Sequence, residues 1–344
     1  RARSLVRIVE NVKLKNFRCH EDFELSCNED TTLIIGSNGS GKTSVLEAIY
    51  LALRGKSFKG VDREILRREA DFYRAEIRLH DFKTVIIRYD GAKKSFEIDG
   101  KKNLRLPKKS RYPVVLFEPD DLYLVGSSPS RRRDYFDELF RQIDDKYGVT
   151  LGKYNKALKQ RNDLLKNEFV DENDLFSWNV MCANYGAELI LFRKKFLDEI
   201  NARMTEIYRE IAKNEDECAI SYVGTEVDEN KYLSILESNF EKDRYLGYTS
   251  FGAHRDDYEF VFNGKRADGS ASRGEIRSMI LALKFIEAKI LEQETGFSPV
   301  VLLDDIFSEL DDARQKHLIS NFKDYQMIIT STSAPIDMNI DVNL

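Results

Sequence analysis

Gly36-Ser37-Asn38-Gly39-Ser40-Gly41-Lys42-Thr43 has the spacing G-x-x-x-x-G-K-T, and the chemistry of that pattern is polyphosphate binding. Its glycines permit positive φ and close backbone approach, so successive N–H groups can turn inward on a β-phosphate while the next helix adds its N-terminal partial charge. Lys42 is placed to reach the β- and γ-phosphates, and Thr43 to hold Mg²⁺ through its hydroxyl. The flanks agree. Thr32-Leu33-Ile34-Ile35 reads as a buried strand entering the loop, and Val45, Leu46, Ile49, Tyr50 and Leu53 recur at helical spacing after it.

A second chemical group lies far down the chain. Pro299-Val300-Val301-Leu302-Leu303-Asp304-Asp305 reads as a continuously apolar, buried parallel strand whose carboxyl end presents two carboxylates to a ligand. Asp304 takes the role of the Walker B metal residue and Asp305 that of the catalytic carboxylate polarising an attacking water. Upstream, Ser270-Ala271-Ser272-Arg273-Gly274-Glu275 opens a long helical pattern (Ile276, Met279, Ile280, Leu283, Ile286, Ile290), in the place of the signature motif of ABC-type ATPases. Ser272, Arg273 and Gly274 at a helix start make a second anion site, suited to the γ-phosphate of a nucleotide held by another copy of the chain. The same residues read as a capping box, Ser272 with Glu275, and the two readings are compatible. Ser308-Glu309-Leu310-Asp311 has the form of a D-loop facing the same dimer, while Asp311 or Asp312 is also a helix cap. Thr330 and Ser331 end the apolar strand Met327-Ile328-Ile329 where transporters carry a switch histidine, and are expected to sense the γ-phosphate.

Taken with Leu14-Lys15-Asn16-Phe17-Arg18, Phe117-Glu118-Pro119-Asp120-Asp121-Leu122 and Gly252-Ala253-His254-Arg255-Asp256-Asp257, these motifs resemble, in order and over nearly the whole chain, the RecF family, bacterial recombination mediators related to SMC heads. Ala253 stands where proline is usual and Glu275 where glutamine is common. The resemblance implies an α/β P-loop ABC-type ATPase head, a mixed sheet with flanking helices, plus an inserted helical lobe with a short coiled-coil-like arm. It implies a DNA-stimulated ATPase using ATP and Mg²⁺, a homodimer formed on ATP binding, and partners that are double-stranded DNA, single/double-strand junctions, RecR and RecO, and Asp305, where fast ABC motors carry glutamate, predicts slow hydrolysis. It also implies that Arg18 meets nucleotide phosphate in its own chain, although as a bare residue Arg18 reads as a surface arginine.

Composition bounds these expectations. The chain has 344 residues, 42% hydrophobic and 33% charged, which suits two lobes and an ordinary water-soluble, cytoplasmic protein. No apolar stretch approaches the roughly 20 residues that span a bilayer, and the first ten residues lack the apolar core of a signal peptide. Cys19, Cys27, Cys182 and Cys218 show neither C-x-x-C spacing nor paired histidines, so neither a disulfide framework nor a zinc site is expected. A net charge of −5 means that any DNA surface is local. Two clusters could supply it: Lys101, Lys102, Arg105, Lys108, Lys109 and Arg111, in a stretch without acids, and Arg131-Arg132-Arg133. Each also reads as a solvated loop or helix start.

The elements that position these groups follow from periodicity. Strand-like runs at Val6–Leu14, Ala75–Leu79, Thr84–Tyr89 and Ser95–Ile98, with a hairpin turn at Asp99-Gly100, predict an antiparallel sheet beside the loop strand. Apolar residues stepping by three or four across Asp174–Ile211 predict one helix of roughly 57 Å, at 1.5 Å per residue, favouring an arm over an ordinary core helix, with Trp178 as a core anchor. A strand at Cys218–Val223, a helix near Asn230–Lys242 and a hairpin turning at Asn263-Gly264 follow. The expected domains are 1–118 and 248–344 for the two parts of the ATPase lobe and 119–247 for the helical lobe. His254-Arg255-Asp256 reads as loop packing. A transporter ATPase subunit would need a transmembrane partner, a glutamine loop, a glutamate after Asp304 and a switch histidine, a GTPase would need N-K-x-D, and the short arm and absent zinc-hook cysteines speak against another SMC-like head such as a Rad50-type nuclease subunit.

Overall fold

Burial alternates residue by residue along Tyr73–Leu79 and stays unbroken along Val300–Asp304, as one half-covered antiparallel sheet and one doubly covered parallel sheet require. The computed structural model describes residues 8–344 apart from 81, 168, 225, 335–337 and 339. The chain divides into two units, one comprising residues up to Leu122 together with Glu287–Leu344, the other Tyr123–Ile286. The segment 248–286, expected with the ATPase lobe, groups with the helical unit.

In the first unit the antiparallel sheet runs β2 (His20–Ser26), β1 (Val9–Phe17), β4 (Tyr73–Leu79), β5 (Thr84–Tyr89), β6 (Lys94–Ile98) and β7 (Lys101–Asn103). Asp99 and Gly100, both at positive φ, turn β6 into β7 with Ile98 opposite Lys101. The parallel sheet runs β14 (Val342–Asn343), β3 (Thr31–Ile35), β13 (Met327–Ser331), β12 (Val300–Asp304) and β8 (Val114–Phe117). Between the two sheets lies α1 (Lys42–Arg54), whose Val45, Leu46 and Ile49 are fully buried, and the single turn α2 (Asp62–Ile65) meets the antiparallel sheet through Asp62 on Tyr73 and Lys94. Gln326 joins the sheets. Its amide oxygen accepts from the N–H groups of Ile8 and Val9, and its nitrogen donates to the carbonyls of Val9 and Asn28, all within 2.9 Å, so a buried amide uses both ends. The helix α10 (Asp312–Phe322) precedes β13.

The second unit begins with α3 (Pro129–Ile143), α4 (Asp145–Leu165) and α5 (Glu172–Ala212), started by the N-caps Ser128, Asp144 and Asp171. At 41 residues α5 is one helix roughly 60 Å long, at 1.5 Å per residue. Arg161 meets Asn179 and Tyr147 meets Arg193, so α4 and the first half of α5 run antiparallel, while Asn201 and Thr205 farther along bond β9 (Cys218–Val223). Buried Leu189, Phe196, Ile200 and Met204 pack this stretch as core, and Trp178 is only half-buried. The helix expected near 230–242 is two, α6 (Glu229–Ser238) and α7 (Phe240–Leu246), divided at Asn239. The strands β10 (Asp257–Phe262) and β11 (Lys265–Arg266) turn at Asn263-Gly264, and the turn α8 (Ala267–Ser270) leads to α9 (Arg273–Thr295). No helix among the described residues is long and apolar enough to cross a membrane.

Buried arginines fix the loop 249–257 of this unit. Arg161, fully buried, donates to Asp243, Asn179, Thr249 and the Leu236 carbonyl. Arg193 donates to Asp137, the Tyr147 hydroxyl and the Ala253 carbonyl. His254 ends a chain of hydroxyls. Its Nε2 faces the Thr249 carbonyl at 3.0 Å, which can only accept, so Nδ1 accepts from Tyr154, and Tyr154 in turn contacts Tyr232. The loop-packing reading of His254 therefore fits its surroundings. Burial pushes the imidazole down to about 4 from 6.5, with the charge of Arg255 adding to it and the Thr249 carbonyl opposing it. Between those values the unfolded chain binds more protons than the folded one, so His254 should remove stability as pH falls from about 6.5 toward 4. Urea unfolding at pH 4.5 and 7 should show a smaller difference in His254→Gln than in the parent, and an imidazole signal titrating near pH 6.5 would contradict the buried neutral ring.

Candidate functional site

The loop between β3 and α1 turns on Gly41, whose φ of 100° lies in the left-handed region that favours glycine and which serves as the N-cap of α1. Lys42, 5% exposed, folds back so that Nζ donates to the carbonyls of Gly36 at 2.6 Å and Ser37 at 2.8 Å. Ser37, Asn38 and Gly39 are exposed at the rim. The Thr43 hydroxyl donates to Asp304, with Oδ1 at 2.7 Å, and the buried Thr330 hydroxyl donates to the same oxygen at 2.8 Å. Parallel register sets this convergence: Asp304 on β12 is paired with Thr330 on β13, and Thr330 with Ile34 on β3, one residue before the end of the loop strand. A hydroxyl and a carboxylate, all oxygen donors, suit a hard cation such as Mg²⁺.

Asp305 follows at φ 52°, its N–H donating to both the carbonyl and the hydroxyl of Thr330 at 3.0 Å. This turn separates its side chain from that of Asp304 and leaves Oδ1 buried with no hydrogen-bond partner. Burial raises the Asp305 carboxyl above its ordinary value, the charge of Asp304 adds to the rise, and Lys42 opposes it. A carboxylate with a raised proton affinity and an unused buried oxygen is equipped to accept a proton.

Other expected residues are placed differently. Arg18 spends its guanidinium on protein: Nε and Nη2 form a two-point ion pair with Glu47 at 2.8 and 2.7 Å, and Nη1 donates to the Glu64 carbonyl. Glu47, fully buried on α1, requires that cation, so Arg18 is not turned toward the phosphate loop. Arg132 is likewise committed. It is buried, pairs with Asp257 at 2.8 and 2.7 Å, and donates to the carbonyls of Val125 and Ser127, which removes it from any DNA surface. Arg133 donates to the Asp256 carbonyl and Arg131 is half-buried. By contrast Lys101, Lys102, Arg105, Lys108 and Lys109 are exposed, while Arg111 is half-buried with Nη2 on the Leu106 carbonyl.

Ser272 and Arg273 are exposed at the start of the 23-residue α9, with Gly274 half-buried behind them. The capping box forms: the Glu275 N–H donates to the Ser272 hydroxyl and the Ser272 N–H to the Glu275 carboxylate. Asp311 caps α10 through the Arg314 N–H and pairs with the Arg314 guanidinium. Ser331 is buried, its hydroxyl accepting from the Ser333 N–H and its carbonyl from the Gly36 N–H. Sequence reading missed Cys19 and His20, which touch the loop carbonyls of Ser40 and Gly41, and Glu47, the partner of Arg18. It also missed Asp341, which accepts from the Leu33 N–H and lays β14 beside β3. No spacing signals such contacts, because each joins segments distant in sequence.

The chain is similar to known ATPases and DNA repair proteins. The family model for the AAA ATPase domain matches residues 8–247. The DNA replication and repair protein RecF of Clostridium acetobutylicum is 33% identical over 340 residues, covering 94% of this chain and 92% of that relative. That of Alkaliphilus oremlandii is 35% identical over 340 residues, with 94% and 93% covered. A solved structure of the recombination mediator protein RecF with ATP, in the RecFOR pathway, superposes with a TM-score of 0.87 at 31% identity, covering 98% of this chain and 95% of the other. The Smc head of Pyrococcus furiosus, at TM-score 0.51 and 18% identity over 95% of this chain and 90% of that one, shares the fold.

Proposed function

The chain belongs to the RecF family of DNA replication and repair proteins, and from that premise we propose that it is a slow, DNA-stimulated ATPase that closes as a homodimer around two ATP molecules on double-stranded DNA near single-strand gaps. By family resemblance it assists RecA loading together with RecO and RecR. The convergence of Lys42, Thr43, Asp304 and Asp305 at the carboxyl ends of β3 and β12 carries the reading.

Phosphate oxygens entering the loop take the place of the Gly36 and Ser37 carbonyls as partners of the Lys42 ammonium. Thr43 and Asp304 would hold Mg²⁺, which when bound neutralises charge on the β- and γ-phosphates. Asp305 accepts the proton of the attacking water at its unpartnered Oδ1. Its side chain is one methylene shorter than the glutamate of fast ABC motors, and a misplacement on the order of 1 Å can cost about 100-fold in rate, so hydrolysis is slow and times release. The exposed N-terminus of α9, with Ser272, Arg273 and Gly274, serves the nucleotide of a second copy, and Asp311 faces the same interface. Thr330 and Ser331 report on the γ-phosphate through Asp304 and Gly36, which they bond. Exposed Lys101, Lys102, Arg105, Lys108 and Lys109 are the proposed phosphate contacts to DNA.

Lys42→Ala should remove a charge-assisted interaction of roughly 1.5–3 kcal/mol and weaken ATP binding about 10- to 150-fold. Ser272→Arg should bind ATP normally as a monomer yet fail to dimerise in light scattering with ATP, and an equal loss of monomer affinity in both variants would count against the sandwich. Neutralising the five exposed basic residues should flatten the slope of log K against log salt by about 0.9 for each DNA phosphate that they neutralise in the parent, and an unchanged slope would place DNA elsewhere. Asp305→Asn should retain ATP while prolonging the dimer after a chase with ADP. Decay at the parental rate would remove Asp305 from the timing of release.

A further inference from the structure

We propose that the Arg18-Cys19 turn between β1 and β2, together with His20 at the head of β2, is the positioning element of the nucleotide loop, aiming its last two amides at the phosphate. The inference rests on nucleotide binding at that loop. A loop that cradles a phosphate with N–H groups must turn its carbonyls the other way, and those carbonyls need donors of their own. Lys42 serves Gly36 and Ser37 until phosphate takes its ammonium, and the Ser40 N–H also donates to the Ser37 carbonyl. The turn serves the last two, and the Gly41 carbonyl also accepts from the Ser44 N–H at 3.0 Å as α1 begins. The Cys19 thiol donates to the Ser40 carbonyl at 3.8 Å and His20 Nε2 to the Gly41 carbonyl at 3.0 Å. Because a trans peptide is planar with C=O and N–H opposed, holding those two carbonyls outward points the N–H groups of Gly41 and Lys42 the opposite way.

The turn has the rigidity this role needs. Arg18 clamps it to α1 through buried Glu47, whose other contact is the Ser57 hydroxyl at 2.5 Å, and the Arg18 N–H donates to the Ile65 carbonyl. His20 is buried and packs on Phe23 at 4.8 Å between ring centroids. A Cβ on Gly41 would stand 2.5 Å from His20 Nε2, so loop and turn are in direct contact with no space for a side chain between them. Since the Gly41 oxygen can only accept, His20 carries its proton on Nε2. Arg18 is thereby a positioning residue acting through α1, and His20 one acting through the loop.

The test is the affinity of a fluorescent ATP analogue for His20→Phe, which keeps the ring and loses the donor, and His20→Gln, which keeps a donor and loses the ring. His20→Phe should weaken binding roughly three- to tenfold with a melting temperature at most a few degrees lower, as the absence of one hydrogen bond predicts, and His20→Gln should recover most of the affinity. Parental affinity in His20→Phe, or an equal loss in both variants, overturns the proposal while leaving nucleotide binding intact. A parent that binds no nucleotide overturns both. Should His20→Phe fail to fold, Cys19 provides the measurement, since it is the one exposed cysteine among the described residues. Maleimide labelling of Cys19 should slow when ATP fills the loop, and labelling at the same rate with and without ATP overturns the proposal.

Discussion

The hydrogen bond from Thr43 to Asp304 joins residues 261 positions apart, and the architecture of the first unit answers to it. Asp304 stands at the carboxyl end of β12 and Thr43 in the first turn of α1, reached from the carboxyl end of β3 through the loop, where the sheet opens onto a ligand. Sliding β12 by one residue against β13 would turn Asp304 to the other face and replace it with Leu303 or Asp305. Thr330 resists that slip, because its hydroxyl bonds Asp304 while its carbonyl receives the N–H of Asp305. The left-handed backbone of Asp305 follows from the same demand: two adjacent carboxylates extended along a strand would face opposite sides, and the turn at φ 52° ends the strand there.

Local patterns were legible in the sequence to the extent that their partners lie close along the chain. The phosphate loop, the capping box of Ser272 and Glu275, the hairpins at Asp99-Gly100 and Asn263-Gly264, and the single long α5 are all encoded within a few turns of backbone. Charged residues show the limit. Arg18, Arg132 and Lys101 look alike as letters, yet the first two are drawn inward by Glu47 and Asp257, 29 and 125 positions away, and only Lys101 remains exposed. Nothing local distinguishes an arginine that meets a buried carboxylate from one that meets solvent, because the carboxylate's burial is decided by the fold. The break at Asn239 escaped for a milder reason, since apolar spacing continues in phase across it.

The second unit uses the same device more heavily. Arg161, Arg193 and Arg132 converge on a loop that carries Asp256 and Asp257 and the carbonyl of Ala253, so irregular backbone is satisfied by guanidinium forks rather than by a sheet. Removing one member of such a set strands the others in low dielectric, which makes the loop rigid and intolerant of single changes. The Gly252–Asp257 stretch is in this sense a scaffold, with exposed Arg255 stacked on Tyr248 as its outward-facing part.

The strand order of the parallel sheet bears on how the polypeptide is made. β3 leaves the ribosome well before its sheet neighbour β13, which emerges some 290 residues later. At about 5–20 residues per second that delay lasts roughly 15–60 seconds, during which Leu33, Ile34 and Ile35 form an unpaired apolar edge. The antiparallel sheet, complete by Asn103, can assemble at once and offer α1 one surface on which to wait. Throughout that interval the nascent chain presents the kind of apolar surface that chaperone holdases bind, and the finished protein does not.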